Sequence, residues 1–204
     1  KLLCGVVTDS VHDAWRDAAA DNGLLEVCDG FSFHSYRSPA DEERLVGIFR
    51  NWLASRGSPT FPLLITEAGT QSDDWKSSSG QACSAAKPQC AGETPGGYYC
   101  YNNACVGKMR PTYEEDLIYA WDLVAKAVEH KALGLQGSFA FVLFYYAEKT
   151  GSFSMTGRDG TALRALAAMQ QAISVLSGAV YIGDLPNSGW RVFNTTDDGL
   201  VAVV

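Results

Sequence analysis

Phe31-Ser32-Phe33-His34-Ser35-Tyr36 and Pro62-Leu63-Leu64-Ile65-Thr66-Glu67-Ala68-Gly69 are two strand-like runs with a helical run between them, and the stretch from Asp29 to Thr70 that holds all three decides the fold. Pro62-Leu63-Leu64-Ile65 is a short apolar run of the kind that forms a strand buried on both faces. Glu67 stands at its C-terminal tip, where α/β proteins place their chemistry. His34 and Tyr36 are two residues apart on the first run, so both side chains leave one face of it. Between the runs, Ser38-Pro39 opens a helix with proline in its first turn and Asp41-Glu42-Glu43 at the positive end of the dipole. Leu45, Ile48, Phe49, Trp52 and Leu53 follow at helical spacing and form a core stripe, and Gly57 and Pro59 end the helix.

The same alternation extends outward. Leu2 to Val7 reads as a buried strand, and Asp9 or Ser10 caps a helix from about Val11 to Asn22. On the other side, Thr112-Tyr113-Glu114-Glu115 is a capping box. It opens a helix expected to turn Leu117, Ala120, Trp121, Val124 and Val128 inward, ending near Gly134. Gly137 to Phe144 reads as a fourth strand, followed by Tyr145-Tyr146-Ala147-Glu148, a loop, and a helix from about Thr161 to Leu176. Four strand–helix units in strict alternation predict a parallel sheet with helices outside, an α/β fold. After Gly178 the texture changes to short strands around Val180-Tyr181-Ile182, Trp190-Arg191-Val192-Phe193 and Leu200–Val204. The Asp198-Gly199 turn before the last is a hairpin signal. Residues 1–177 are thus expected to form the α/β domain, and 178–204 the start of a separate, truncated β domain.

Residues 70–110 lack periodicity and read as a Cys-rich insertion in the α/β domain. Two readings stand: a surface insertion, or a lid beside the Glu67 tip with Trp75, Tyr98, Tyr99 or Tyr101 facing substrate. Cys83, Cys90, Cys100 and Cys105 all lie within it, and their spacing lacks the tight pair at each end that zinc sites use. They are expected to form disulfides, which places the protein in an oxidising, secreted or extracellular compartment. Cys4 and Cys28 read as buried thiols, with pairing as the alternative. Asn194-Thr195-Thr196 is a glycosylation acceptor. His12 and His130 fall on helices and are expected at the surface.

The net charge of −7 over 204 residues argues against nucleic acid, whose phosphates need basic patches, and against anionic membranes. No apolar run approaches the roughly 20 residues of a membrane span. Both ends of the sequence lie inside apolar runs, so it reads as an internal piece of a longer polypeptide, and the lack of a signal peptide says nothing about location. Three scattered histidines supply no metal cluster, and no G-x-G-x-x-G or P-loop follows the first strand. No metal or cofactor is expected.

The residues at the strand tips carry a resemblance. Asp-Gly-Phe-Ser-Phe-His-Ser-Tyr (29–36), then Leu-Ile-Thr-Glu-Ala-Gly (64–69), then Phe-Val-Leu-Phe-Tyr-Tyr (141–146), with a β domain after, resemble the C-terminal half of the (β/α)8 TIM barrel of clan GH-A. That clan of retaining glycoside hydrolases includes cellulases, β-xylosidases and β-mannanases. The resemblance implies that the four strands are the fifth to eighth of a barrel and that the trailing strands begin an accessory β-sandwich. It implies that Glu67 is the catalytic nucleophile and that His34 and Tyr36 are active-site residues, the tyrosine donating to the nucleophile. Phe144, Tyr145 and Tyr146 stand where the family usually has a tryptophan floor for the sugar, and Glu148 is a candidate for a sugar hydroxyl. The general acid/base glutamate has no counterpart here and would lie upstream of Lys1. The implied partner is a carbohydrate, and the implied reaction is retaining hydrolysis of a β-linked saccharide. Such enzymes hold two carboxyl groups about 5 Å apart, one to attack the anomeric carbon and one to exchange protons with the leaving oxygen and water. A catalytically inactive carbohydrate-binding or structural barrel is the alternative. This piece alone is expected to be inactive.

Overall fold

The structure, a computed structural model, describes residues 2–8, 13–70, 99–101, 104–106, 111, 113–148, 151–157, 159–196 and 199–203. Four strands, β1 (Leu3–Val7), β2 (Gly30–Ser35), β3 (Leu63–Ala68) and β6 (Gly137–Ala140), form one sheet in the order β1-β2-β3-β6, and every pairing in it is parallel. Parallel neighbours require crossovers. Among the described residues these are α1 (Asp13–Asp21) with the short α2 (Leu24–Val27), α3 (Pro39–Ser55) and α4 (Tyr113–Ala132). Between β3 and α4 lies the hairpin β4 (Tyr99–Tyr101) and β5 (Ala104–Val106). A second small hairpin, β7 (Ala147–Glu148) and β8 (Gly151–Ser152), precedes α5 (Arg164–Leu176). Strands β9 (Val180–Asp184), β10 (Arg191–Asn194) and β11 (Leu200–Val203) form an antiparallel sheet in the order β11-β10-β9. The expected D-G hairpin is the β10–β11 pair.

The chain forms two units, one of Lys1–Ala68, Ala125–Ala140 and Ala172–Val204 and the other of Gly69–Val124 and Phe141–Gln171. The first holds the parallel sheet, and its core lies between β2–β3 and α3. Phe31 and Phe33, alternate residues of β2, point at this helix layer. Phe33 stacks on Phe49 with centroids 4.2 Å apart, and Phe31 packs on Trp52 at 5.0 Å. Each such ring contributes about 1.5–3 kcal/mol on burial. Trp52 keeps its indole N–H satisfied by donating to Asp17 at 2.9 Å, and the Arg16 guanidinium sits 4.8 Å above its ring. The expected stripe of α3 is largely confirmed: Leu45, Phe49, Trp52 and Leu53 are buried, while Ile48 is only half-buried and Val46 takes its place.

Packing on β1 is close. Gly5 has φ of 106°, and a Cβ there would come within 2.4 Å of the Ser32 carbonyl, so glycine alone fits. Cys4 and Cys28 are joined by a disulfide with Cα atoms 5.9 Å apart, which corrects the expectation of buried thiols. Strand β1 returns beside the residue that leads into β2, and that brings the two sulfurs together. Arg191 of β10 donates two hydrogen bonds to Glu129 on α4, at 3.0 and 2.8 Å, and a third to Asp184 on β9 at 2.8 Å. These carboxylates, Glu129 first, hold the guanidinium above its ordinary pKa.

Two elements depart from expectation. The fourth strand stops at Ala140 rather than Phe144. Beyond a cis Phe141–Val142 peptide, the backbone bonds elsewhere: Val142 N–H donates to Phe153 O, and Met155 N–H to Val142 O. On α4, Leu117 and Trp121 are exposed, not inward. Ala120 and Val128 are buried as expected and Val124 is half-buried, and Tyr119, Leu123, Lys126 and His130 complete the buried side. His130, expected at the surface, is only 2% exposed. In the second unit, the Tyr119 hydroxyl donates to the Phe153 carbonyl, and burial pushes the Tyr119 phenol upward.

Candidate active site

Glu67 reaches its position through an irregularity in β3. Phe33 pairs with Ile65, but the next pair is His34 with Glu67, so Thr66 is an extra residue against β2. The same extra residue appears against β6, where Ile65 pairs with Ser138 and Ala68 with Ala140. Side chains alternate faces along a strand, and laterally paired residues share a face. Without the extra residue Glu67 would stand beside Ser35, whose side chain is buried in the helix layer. The bulge moves Glu67 to the face of His34, a known use of such irregularities. His34 Nδ1 then lies 2.6 Å from Glu67 Oε2. At that separation the imidazole and the carboxylate are in direct polar contact. The side chains keep 19% and 27% exposure, so the pair is set in the protein yet open to an approaching molecule.

Tyr36 follows one residue beyond the end of β2 and is half-buried. Phe144, Tyr145 and Tyr146 belong to the second unit. There Phe144 is 74% exposed and Tyr146 is exposed, while Tyr145 is half-buried. Within that unit Phe141 packs edge-on against Tyr146 with centroids 5.2 Å apart. Glu148 has its backbone in β7, but its side chain lies outside the described residues, as do those of Cys100 and Cys105. The β4–β5 register sets Cys100 and Cys105 opposite one another. Cys83, Cys90, His12, Trp75 and Tyr98 lie outside the described residues. Asn194 is exposed at the end of β10. Among the described residues no three His, Cys, Asp or Glu side chains group as metal ligands, and no helix is long and apolar enough to cross a membrane.

Sequence reasoning missed a buried polar group behind the sheet. Ser35 Oγ donates to Glu42 Oε1 at 2.7 Å, and Lys126 Nζ lies 3.0 Å from the same oxygen. Lys126 Nζ also donates to the Ser35 carbonyl at 3.2 Å. His130 Nε2 lies 3.3 Å from Glu42 Oε2, an ion-pair approach, and its Nδ1 is 2.7 Å from Ser138 Oγ. Burial raises the Glu42 pKa, but the His130 contact, the Lys126 charge and the Ser35 hydroxyl outweigh it and hold the carboxyl below its usual value. The signal was present in the sequence: Glu42 stands on the i, i+3, i+4, i+7 stripe of α3 with Leu45, Val46 and Phe49.

No family model and no curated protein sequence matches the chain. Solved structures do share its fold. A family 39 glycoside hydrolase from the gut symbiont Bacteroides cellulosilyticus aligns over 92% of this chain with a TM-score of 0.56 at 11% identity. A glucosidase from Croceicoccus marinus aligns over 95% with a TM-score of 0.54 at 15% identity. The chain spans 36% of the length of each. It therefore has part of a glycosidase fold, with the four-stranded parallel sheet as its centre and a separate antiparallel sheet after it.

Proposed function

We propose that the chain is the nucleophile-bearing part of a retaining glycoside hydrolase acting on a β-linked saccharide. Fold alone does not carry function. The observation that supports the reading is the Glu67–His34 pair at 2.6 Å, set at the C-terminal end of adjacent parallel strands by an extra residue in β3. Strand ends of this kind are where barrel enzymes keep their reacting groups.

In this mechanism a Glu67 oxygen attacks the anomeric carbon. The glycosidic oxygen leaves with a proton from a second carboxyl group, and a glycosyl ester of Glu67 forms. The second group then takes a proton from water, and the water oxygen displaces Glu67 with the original anomeric configuration restored. His34 fixes the carboxylate's orientation through Oε2, and Tyr36 donates its phenol to the same carboxylate. Aromatic rings suit the C–H faces of sugars, the role given to Phe144, Tyr145 and Tyr146, with Glu148 for a sugar hydroxyl. The Cys4–Cys28 disulfide fits a secreted protein.

The test is Glu67→Ala in the full-length protein, assayed with aryl β-glycosides. Turnover is expected to vanish, and azide to restore part of it with an activated leaving group by standing in for the lost nucleophile. Near wild-type turnover in the variant would end the assignment.

A further inference from the structure

The residue between His34 and Tyr36 is held from behind. Ser35 is fully buried, its hydroxyl donates to Glu42, and its carbonyl accepts from Lys126. Glu42 and Lys126 are 0% and 1% exposed, and His130 extends the network to Ser138 on β6. Three elements thus converge on one peptide: α3 through Glu42, α4 through Lys126, and β2 through Ser35 itself. Strand β3, which carries Glu67, runs between β2 and β6, the two strands the network ties. A buried ion pair is weak evidence for stability, because well-packed apolar residues of equal volume often serve as well or better. Its distinctive product is a fixed geometry. The Ser35 carbonyl belongs to the Ser35–Tyr36 peptide, so hydrogen bonds to it and from the Ser35 hydroxyl fix the residue that directly follows His34, and with it the direction in which the imidazole leaves the strand.

We infer that Glu42 and Lys126 are positioning residues that aim His34 at Glu67 through Ser35. This rests on the proposed role of Glu67. The network never touches the reacting atoms. It acts through the backbone, where small displacements of a reacting group cost large factors in rate.

The experiment uses the full-length protein and the charge-balanced pair Glu42→Gln with Lys126→Met, which removes one buried charge of each sign. Three quantities are read: melting temperature, kcat against KM, and the ring-nitrogen resonances of His34, identified by their loss in His34→Gln. A Leu53→Ala variant, which thins the same helix layer, is the control for destabilisation alone. The double variant is expected to lose about tenfold or more in kcat with KM little changed. The His34 resonances should shift, while Leu53→Ala melts lower yet keeps its kcat and its His34 signals. Ser35→Ala, a gentler change that removes only the hydroxyl link, is expected to lose about threefold in kcat and to move the same resonances in the same direction. Unmoved His34 resonances and unchanged kcat in Ser35→Ala or in the folded double variant overturn the proposal. So does a loss of kcat no larger than that of the control. If Glu67→Ala keeps its turnover while the His34 resonances still move in the double variant, the proposed function fails and the positioning stands.

Discussion

Thr66 decides which way Glu67 faces, and nothing in its chemistry announces that. Strict alternation from Ile65, whose side chain is fully buried, would have turned Glu67 into the helix layer. That Glu67 stands beside His34 was legible from residue type and strand-tip position. The extra residue was not, because a bulge is set by how three strands register together, not by local propensity. His34 Nδ1 lies 2.6 Å from Glu67 Oε2, and a small misplacement of a reacting group costs large factors in rate. His34→Gln is therefore expected to lower kcat by about ten- to a hundredfold with the melting temperature nearly unchanged, as steady-state kinetics and calorimetry on the full-length protein would record. Glu42 supplies a second prediction at this scale. Its folded pKa lies below the unfolded value near 4.5, so the stability it contributes is complete above that pH and is lost as pH falls through the folded value. Glu42→Gln should cost about 3 kcal/mol near neutrality. The gap from wild type should narrow as pH falls below the unfolded value near 4.5 in urea titrations, and a gap that stays constant or widens with acid would contradict this.

Among the elements, α3 was readable and α4 only in part, for one reason. The buried stripe of α3 is almost wholly apolar, so the 3.6-residue period stands out. The buried side of α4 holds Ala120 and Val128 as expected but also Lys126 and His130, while Leu117 and Trp121 lie exposed, so apolar periodicity finds only part of that face. The fourth strand was overextended because Phe141-Val142-Leu143-Phe144 has every β preference, yet its backbone partners lie in 153–155. Phe49 is the keystone of the α3 layer, touching Phe31 and Phe33 together. Phe49→Ala is expected to destabilise the protein by about 3–5 kcal/mol in chemical denaturation, far more than a surface change on the same helix.

At the scale of the molecule, the strand–helix alternation correctly predicted a parallel sheet, and solved glycosidases aligned over nearly all of this chain share its fold. Among the described residues β1 and β6 each have one unpaired edge, and Leu3 and Phe139 on these strands are exposed. Open parallel edges with apolar side chains invite pairing with another chain. The 204-residue chain expressed alone is expected to self-associate and to hydrolyse no aryl β-glycoside. Sedimentation that found a stable 22.0 kDa monomer would contradict the first expectation, and measurable turnover the second. The central claim, that Glu67 attacks an anomeric carbon, has a direct chemical test. A 2-deoxy-2-fluoro β-glycoside with an activated leaving group, incubated with the full-length protein and followed by peptide mass spectrometry, should leave its sugar esterified to Glu67. A label on any other carboxylate would contradict the account.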